Sequence, residues 1–129
     1  MRLLLDTHIF LWYLAGNPSL RATTRDLIRD PLNPVFLSPV SVWEALVKYK
    51  LGKLALPDPP GSYLQRQRVR HDIALLDLDE ASVLQLLDLP DIHRDPFDRM
   101  LVCQAITHGL SLVTVDEDIQ AYPVATIPG

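Results

Sequence analysis

The chain has 129 residues, 48% apolar and 22% charged, with one cysteine and a net charge of −4. That composition suits one ordinary globular core, and the expectation is a single domain over residues 1–129. No apolar run approaches the roughly 20 residues of a bilayer span, a lone cysteine excludes a disulfide framework or cysteine metal cluster, and the acidic balance excludes nucleic-acid binding by neutralising phosphates over the whole surface.

Residues 2–5 read as a short buried strand that runs directly into Asp6. An acid so early argues against a secretory signal, so the cytosol is the expected compartment, with no membrane partner. A helix from about Ile9 to Ala15 stops near Gly16-Asn17-Pro18, and Ser19 can cap a second one through about Asp30. The turn DPLNP leads into a strand at Val35–Leu37. Ser38-Pro39 then starts a helix over about Val40–Tyr49, with a capping hydroxyl and proline at the first helical position. A polar helix over about 61–71 and a short strand at Ile73–Leu76 follow the PDPPG loop. Asp79 caps a helix, DEASVLQLLDL, that Pro90 ends; Asp95-Pro96 opens another that Gly109 ends. Leu112–Val115 is a strand, Asp116 begins a turn or short helix, and Val124–Ile127 is a weak edge strand.

Short apolar strands alternating with helices predict a three-layer α/β/α domain with a short, mainly parallel central sheet. In such sheets, ligands bind beyond the carboxyl ends of the strands, near the point where strand order reverses. Four acids fall there. Asp6 and Asp116 each follow a strand, Glu44 lies one turn into the helix after the second strand, and Asp98 lies in the first turn after HRDP. Each also has a plain structural reading. Asp6 could cap the first helix, Glu44 could close a capping box with Ser41, Asp98 could answer the helix dipole behind an Asp95 cap, and Asp116 could be a turn residue.

Together the four are harder to explain structurally. Two carboxylates about 4 Å apart repel by about 4 kcal/mol at an effective dielectric near 20. A cluster of them needs protons or a divalent cation, and oxygen-only ligands suit Mg²⁺ or Mn²⁺ better than zinc. The first strand–helix turn, DTHI, is no glycine-rich phosphate loop. A phosphate could approach this edge only if metal bridged it to the acids, which is the arrangement for phosphodiester hydrolysis by an activated water. Thr7 and Thr114 could hydrogen-bond the acids and fix their rotamers. His8 and His93 stand near them as polar loop or supporting residues rather than ligands.

The stretches LLLDTHIFLWYL, SPVSVWEALVKYKLGKL, HRDPFDRMLVCQA and LVTVDEDI, in this order, resemble the PIN-domain family, and within it the VapC-type toxins of toxin–antitoxin pairs. The resemblance runs from residue 2 to about 127, and HRDPFDRML is its most specific piece. It implies a Rossmann-like PIN-domain sheet, an Mg²⁺- or Mn²⁺-dependent endoribonuclease acting on RNA, a homodimer, and inhibition by a small VapB-like antitoxin. By motif, Asp6, Glu44, Asp98 and Asp116 match the family's four catalytic, metal-binding acids, with Asp6 and Asp98 the most direct ligands. Asp95 is an accessory candidate and Asp118 a weaker one. Cys103 stands where a small residue such as alanine is expected.

Arg99 and Lys48 are possible substrate contacts, although each sits four residues after an acid, Asp95 and Glu44 respectively, in ion-pairing position. Trp12 and Trp43 follow apolar helical spacing and are expected in the core or an interface. Two rival enzyme classes fit less well. A haloacid-dehalogenase-type phosphatase needs a second acid where His8 stands, and a receiver-type phosphoacceptor needs an Asp ending a central strand where VFLSPV has none. A non-catalytic binding module, its acids merely capping helices, is the remaining alternative.

Overall fold

The computed structural model describes residues 1–129. Five strands, β1 (Leu3–Leu5), β2 (Val35–Leu37), β3 (Ala74–Leu75), β4 (Ser111–Thr114) and β5 (Thr126–Pro128), form one sheet in the order β3-β2-β1-β4-β5. All four pairings are parallel, with Leu3 opposite both Val35 and Ser111. The helices are α1 (Thr7–Ala15), α2 (Ala22–Arg29), α3 (Pro39–Lys50), α4 (Pro60–Arg70), α5 (Glu80–Leu84), α6 (Pro96–His108) and α7 (Glu117–Gln120). A 3₁₀ turn over Gln85–Asp88 continues α5 towards Pro90.

Parallel strands must be joined by crossovers, and the crossovers cover both faces with helix. The period of two along β1 divides the core accordingly. Leu3 and Leu5 pack with Ile9 and Phe10 of α1, Ile28 of α2, Ala45 of α3 and Leu64 of α4. Leu4 points the other way, onto Leu101, Val102 and Ala105 of α6 and Ile119 of α7. Both faces of β1 are fully buried, which is why its sequence is an unbroken leucine run. No helix is long and apolar enough to cross a membrane.

Strand order reverses at β1: the chain leaves it for β2 on one side and later returns to β4 on the other. Parallel pairing puts the carboxyl ends of β1 and β4 side by side, and Asp6 N–H extends the ladder by donating to the Val113 carbonyl at 3.0 Å. The acids that follow these strands therefore start from one place.

Several helix starts match their sequence signals. The Ser38 hydroxyl accepts from Val40 N–H, with Pro39 at the first helical position. Asp79, Asp95 and Asp116 cap α5, α6 and α7 through their side chains. Gly16 and Gly109 close α1 and α6 at φ 62° and 64°, a conformation glycine adopts without a Cβ penalty. The start of α2 differs from expectation. Ser19 does not cap it; the Ser19 N–H is taken by the Asn17 side chain in a local turn, and α2 begins at Ala22 after an Arg21 that offers no capping acceptor. Of the two places expected for Trp43, core or interface, the structure excludes the core. Trp43 is 60% exposed and lies edge-on to Phe97.

Candidate active site

Asp6 occupies the N-cap position of α1, yet its side chain makes no cap hydrogen bond. Its Oδ2 accepts instead from the Thr114 hydroxyl at 2.8 Å, and its Oδ1 is buried with no partner at all. Thr114 also accepts from Asp116 N–H at 3.0 Å, so one hydroxyl ties the residues that follow β1 and β4. Glu44 sits within α3, beyond the Ser38 cap, and is buried. Both of its oxygens are engaged: Oε1 accepts from the Thr7 hydroxyl at 2.6 Å and Oε2 from Lys48 Nζ at 2.8 Å. Asp98 enters from the first turn of α6 and is buried too. One oxygen each of Asp6, Glu44 and Asp98 lies within 4.8 Å of the others.

Asp116 completes the edge, with two tasks. Its Oδ1 caps α7 by accepting from Asp118 N–H, while its Oδ2 lies 2.9 Å from His93 Nε2. The same Nε2 is 3.2 Å from Asp98 Oδ2, so His93, Asp98 and Asp116 form a second close group. Asp95 carries out the capping assignment: its Oδ1 takes the N–H groups of Phe97 and Asp98. A cleft of about 400 Å³ gathers Asp6, Glu44, Asp95, Asp98 and Asp116, with His8, His93 and Lys48 on its walls.

Crowding shows in the acid strengths. Burial, with the charges of Asp6, Asp95 and Glu44, pushes Asp98 up to about 7. Burial also raises Asp6, with Glu44 adding to it and the Thr114 hydrogen bond opposing. Burial works against charge on His93, but its hydrogen bond to Asp116 and the charges of Asp116, Asp98 and Asp118 outweigh that and raise it. The carboxylates are thus held together at a cost that protons or a cation would relieve.

The donor set fits a divalent cation. Three clustered carboxylates offer hard oxygen ligands, and Asp6, one of the three, keeps a buried Oδ1 that has nothing to accept from.

Two basic residues weighed as possible substrate contacts are held by the protein. Lys48 pairs with Glu44, as its spacing suggested. Arg99 does not pair with Asp95. It reaches Asp91 at 3.1 Å and the His93 carbonyl at 3.3 Å, because the Asp95 carboxylate is turned inward to cap α6. His93 has a larger place than its sequence position suggested, and Tyr122, whose hydroxyl accepts from His93 N–H at 2.7 Å, had no signal at all.

Residues 3–125 match the PIN domain family. Ribonuclease VapC16 of Mycobacterium tuberculosis (strain ATCC 25618 / H37Rv) is 38% identical over 58 residues, 45% of this chain and 41% of that protein. The match thus spans about two fifths of that relative's length. A chain in the crystal structure of VapBC2 from Rickettsia felis, bound to a DNA fragment from its promoter, superposes with a TM-score of 0.74 at 17% identity, covering 98% of both chains. DNA-bound VapBC from Salmonella typhimurium gives 0.70 at 18% identity, over 99% of this chain and 97% of the other. At these identities the superpositions establish the fold.

Proposed function

The chain belongs to the PIN-domain family, and from that premise we propose that it is a metal-dependent endoribonuclease, the toxin of a toxin–antitoxin pair, formed by a single domain over residues 1–129. One observation carries the reading: the buried carboxylates of Asp6, Glu44 and Asp98 converge within 4.8 Å, and Asp6 Oδ1 has no partner. The name of the VapC16 relative supports ribonuclease chemistry, and the VapBC complexes that share the fold support an antitoxin partner.

In this reading Asp6 and Asp98 would hold Mg²⁺ or Mn²⁺ most directly, and Glu44 and Asp116 would support it less directly or orient the attacking water. The bound cation would supply an acidified water and charge stabilisation on the phosphoryl oxygens. The protein's own part is positional. Thr114 fixes the Asp6 rotamer, and Thr7 and Lys48 hold both oxygens of Glu44, so the acids keep their orientation without metal. Lys48 on the wall of the cleft, and Arg99 in a pocket that shares His93 with it, offer positive charge for the RNA backbone. A homodimer, a small VapB-like antitoxin and a cytoplasmic location complete the proposal.

The capping alternative loses support at two residues: Asp6 makes no cap hydrogen bond and Glu44 lies inside its helix. The test is cleavage of single-stranded RNA by the purified protein, with and without EDTA, restored by Mn²⁺ and repeated with Asp6→Asn. Cleavage that needs Mn²⁺ and is lost in the folded variant supports the proposal. Metal-independent cleavage, or none, refutes it.

A further inference from the structure

We propose that His93 is a positioning residue for the acidic cleft, its Nε2–H holding the Asp116 carboxylate, next to Asp98, in the orientation a divalent cation requires. This rests on the metal-dependent reading of the cleft given above. Every polar atom of His93 is engaged. Nδ1 faces Asp95 N–H at 3.0 Å, and because a backbone N–H can only donate, Nδ1 is the acceptor. A neutral ring must then carry its hydrogen on Nε2. That hydrogen is directed to Asp116 Oδ2 at 2.9 Å, and Asp98 Oδ2 lies 3.2 Å from the same nitrogen as a charge neighbour. The backbone is fastened as well: His93 N–H donates to the Tyr122 hydroxyl at 2.7 Å, and its carbonyl accepts from Arg99 at 3.3 Å.

The arrangement joins three separate parts of the chain. Asp98 comes from α6, Asp116 from the turn after β4, and Tyr122 from the segment after α7. Asp116 has Oδ1 committed to capping α7, so His93 is the contact that sets where its Oδ2 points. With Nε2 bearing hydrogen, the ring serves as donor to Asp116 and is not itself a ligand to the cation.

Two substitutions separate the ring's two nitrogens. The Gln amide nitrogen can reach the place of Nε2 and donate to Asp116, while an Asn side chain reaches only the place of Nδ1 and preserves the Asp95 contact. Metal-stripped wild type, His93→Gln and His93→Asn are titrated with Mn²⁺, free ion being read by electron paramagnetic resonance, and melting in EDTA checks that each is folded. The proposal predicts His93→Gln within a few-fold of wild type and His93→Asn weakened about 10–100-fold. The reverse order overturns it in favour of a loop-fastening role. Equal loss in both overturns it in favour of direct ligation, and no loss in either overturns it outright. A wild type that binds no Mn²⁺ refutes the metal reading itself and takes the proposal with it, a result distinct from any ordering of the variants.

Discussion

Asp6 and Thr114 are 108 residues apart in the chain and 2.8 Å apart in the fold, joined by a hydroxyl that fixes one carboxylate oxygen and leaves the other buried and unpartnered. Thr114 ends β4 and Asp6 follows β1, so the contact is a direct product of the parallel β1–β4 pairing. Removing the donor while keeping the shape should expose its worth. Thr114→Val is expected to destabilise the metal-free protein by about 1–3 kcal/mol, the range for a hydrogen bond to a buried charged group. Urea unfolding in EDTA measures this; an unchanged midpoint would mean the hydroxyl contributes nothing.

Acid crowding makes the metal-free protein sensitive to pH. Asp98 is raised in the folded state from the ordinary carboxyl value of 3.8 to about 7. Between those values the unfolded chain has released its proton and the folded chain has not, so stability falls as pH rises through the window and levels off above it. The effect is on the order of a few kcal/mol. Asp98→Asn, with no proton to lose, should be at least as stable as wild type in EDTA at pH 7.5 and should show a flatter profile between pH 5 and 7. Clear destabilisation of the variant at pH 7.5 would instead identify Asp98 as a favourable first-turn charge on α6.

The same proton must leave before a cation can bind through Asp98. Apparent Mn²⁺ affinity should therefore fall about tenfold per pH unit below about 7 and flatten above it. Calorimetric titrations across pH 5.5–8.5 would show the slope, and a pH-independent affinity would exclude Asp98 as a ligand. At a hundredfold excess over its dissociation constant, the ion should stabilise the fold by about 2.7 kcal/mol. Asp6→Asn should remove most of that gain.

Lys48 gives Glu44 its only cationic partner, at 2.8 Å. Lys48→Met keeps the aliphatic stem and leaves the buried carboxylate with the Thr7 hydroxyl alone. The metal-free protein should lose about 1–3 kcal/mol, less than for a fully buried pair because Lys48 is partly exposed. Thermal melts with and without Mn²⁺ check this, and the loss should shrink when the ion supplies the missing charge. An equal loss in both conditions would mean that Glu44 and the ion do not interact.

What could be read from the chain follows from how local each signal is. The unbroken Leu3–Leu5 run, the Ser38-Pro39 start and the Asp95-Pro96 start each state an element within a few residues, and each stands where expected. Convergence of Asp6, Glu44 and Asp98 was legible because parallel strands have a single carboxyl edge. Partner choice among side chains was less so. Arg99 had two acids within reach along the chain, and only the inward turn of Asp95 sends it to Asp91. Tyr122 reaches His93 across 29 residues, and a lone tyrosine after a short helix carries no pattern that announces such a contact. Trp43 has the apolar spacing that suits a core or an interface, and it is exposed on α3, because helical period alone cannot say which side is covered.

The most direct measurement is the anomalous diffraction of a crystal soaked in Mn²⁺ at pH 8, where Asp98 is ionised. The account predicts a peak within coordination distance of Asp6 and Asp98, with Glu44 beside it directly or through water. A soaked crystal with no peak in the cleft, or with manganese only at surface carboxylates, would contradict it.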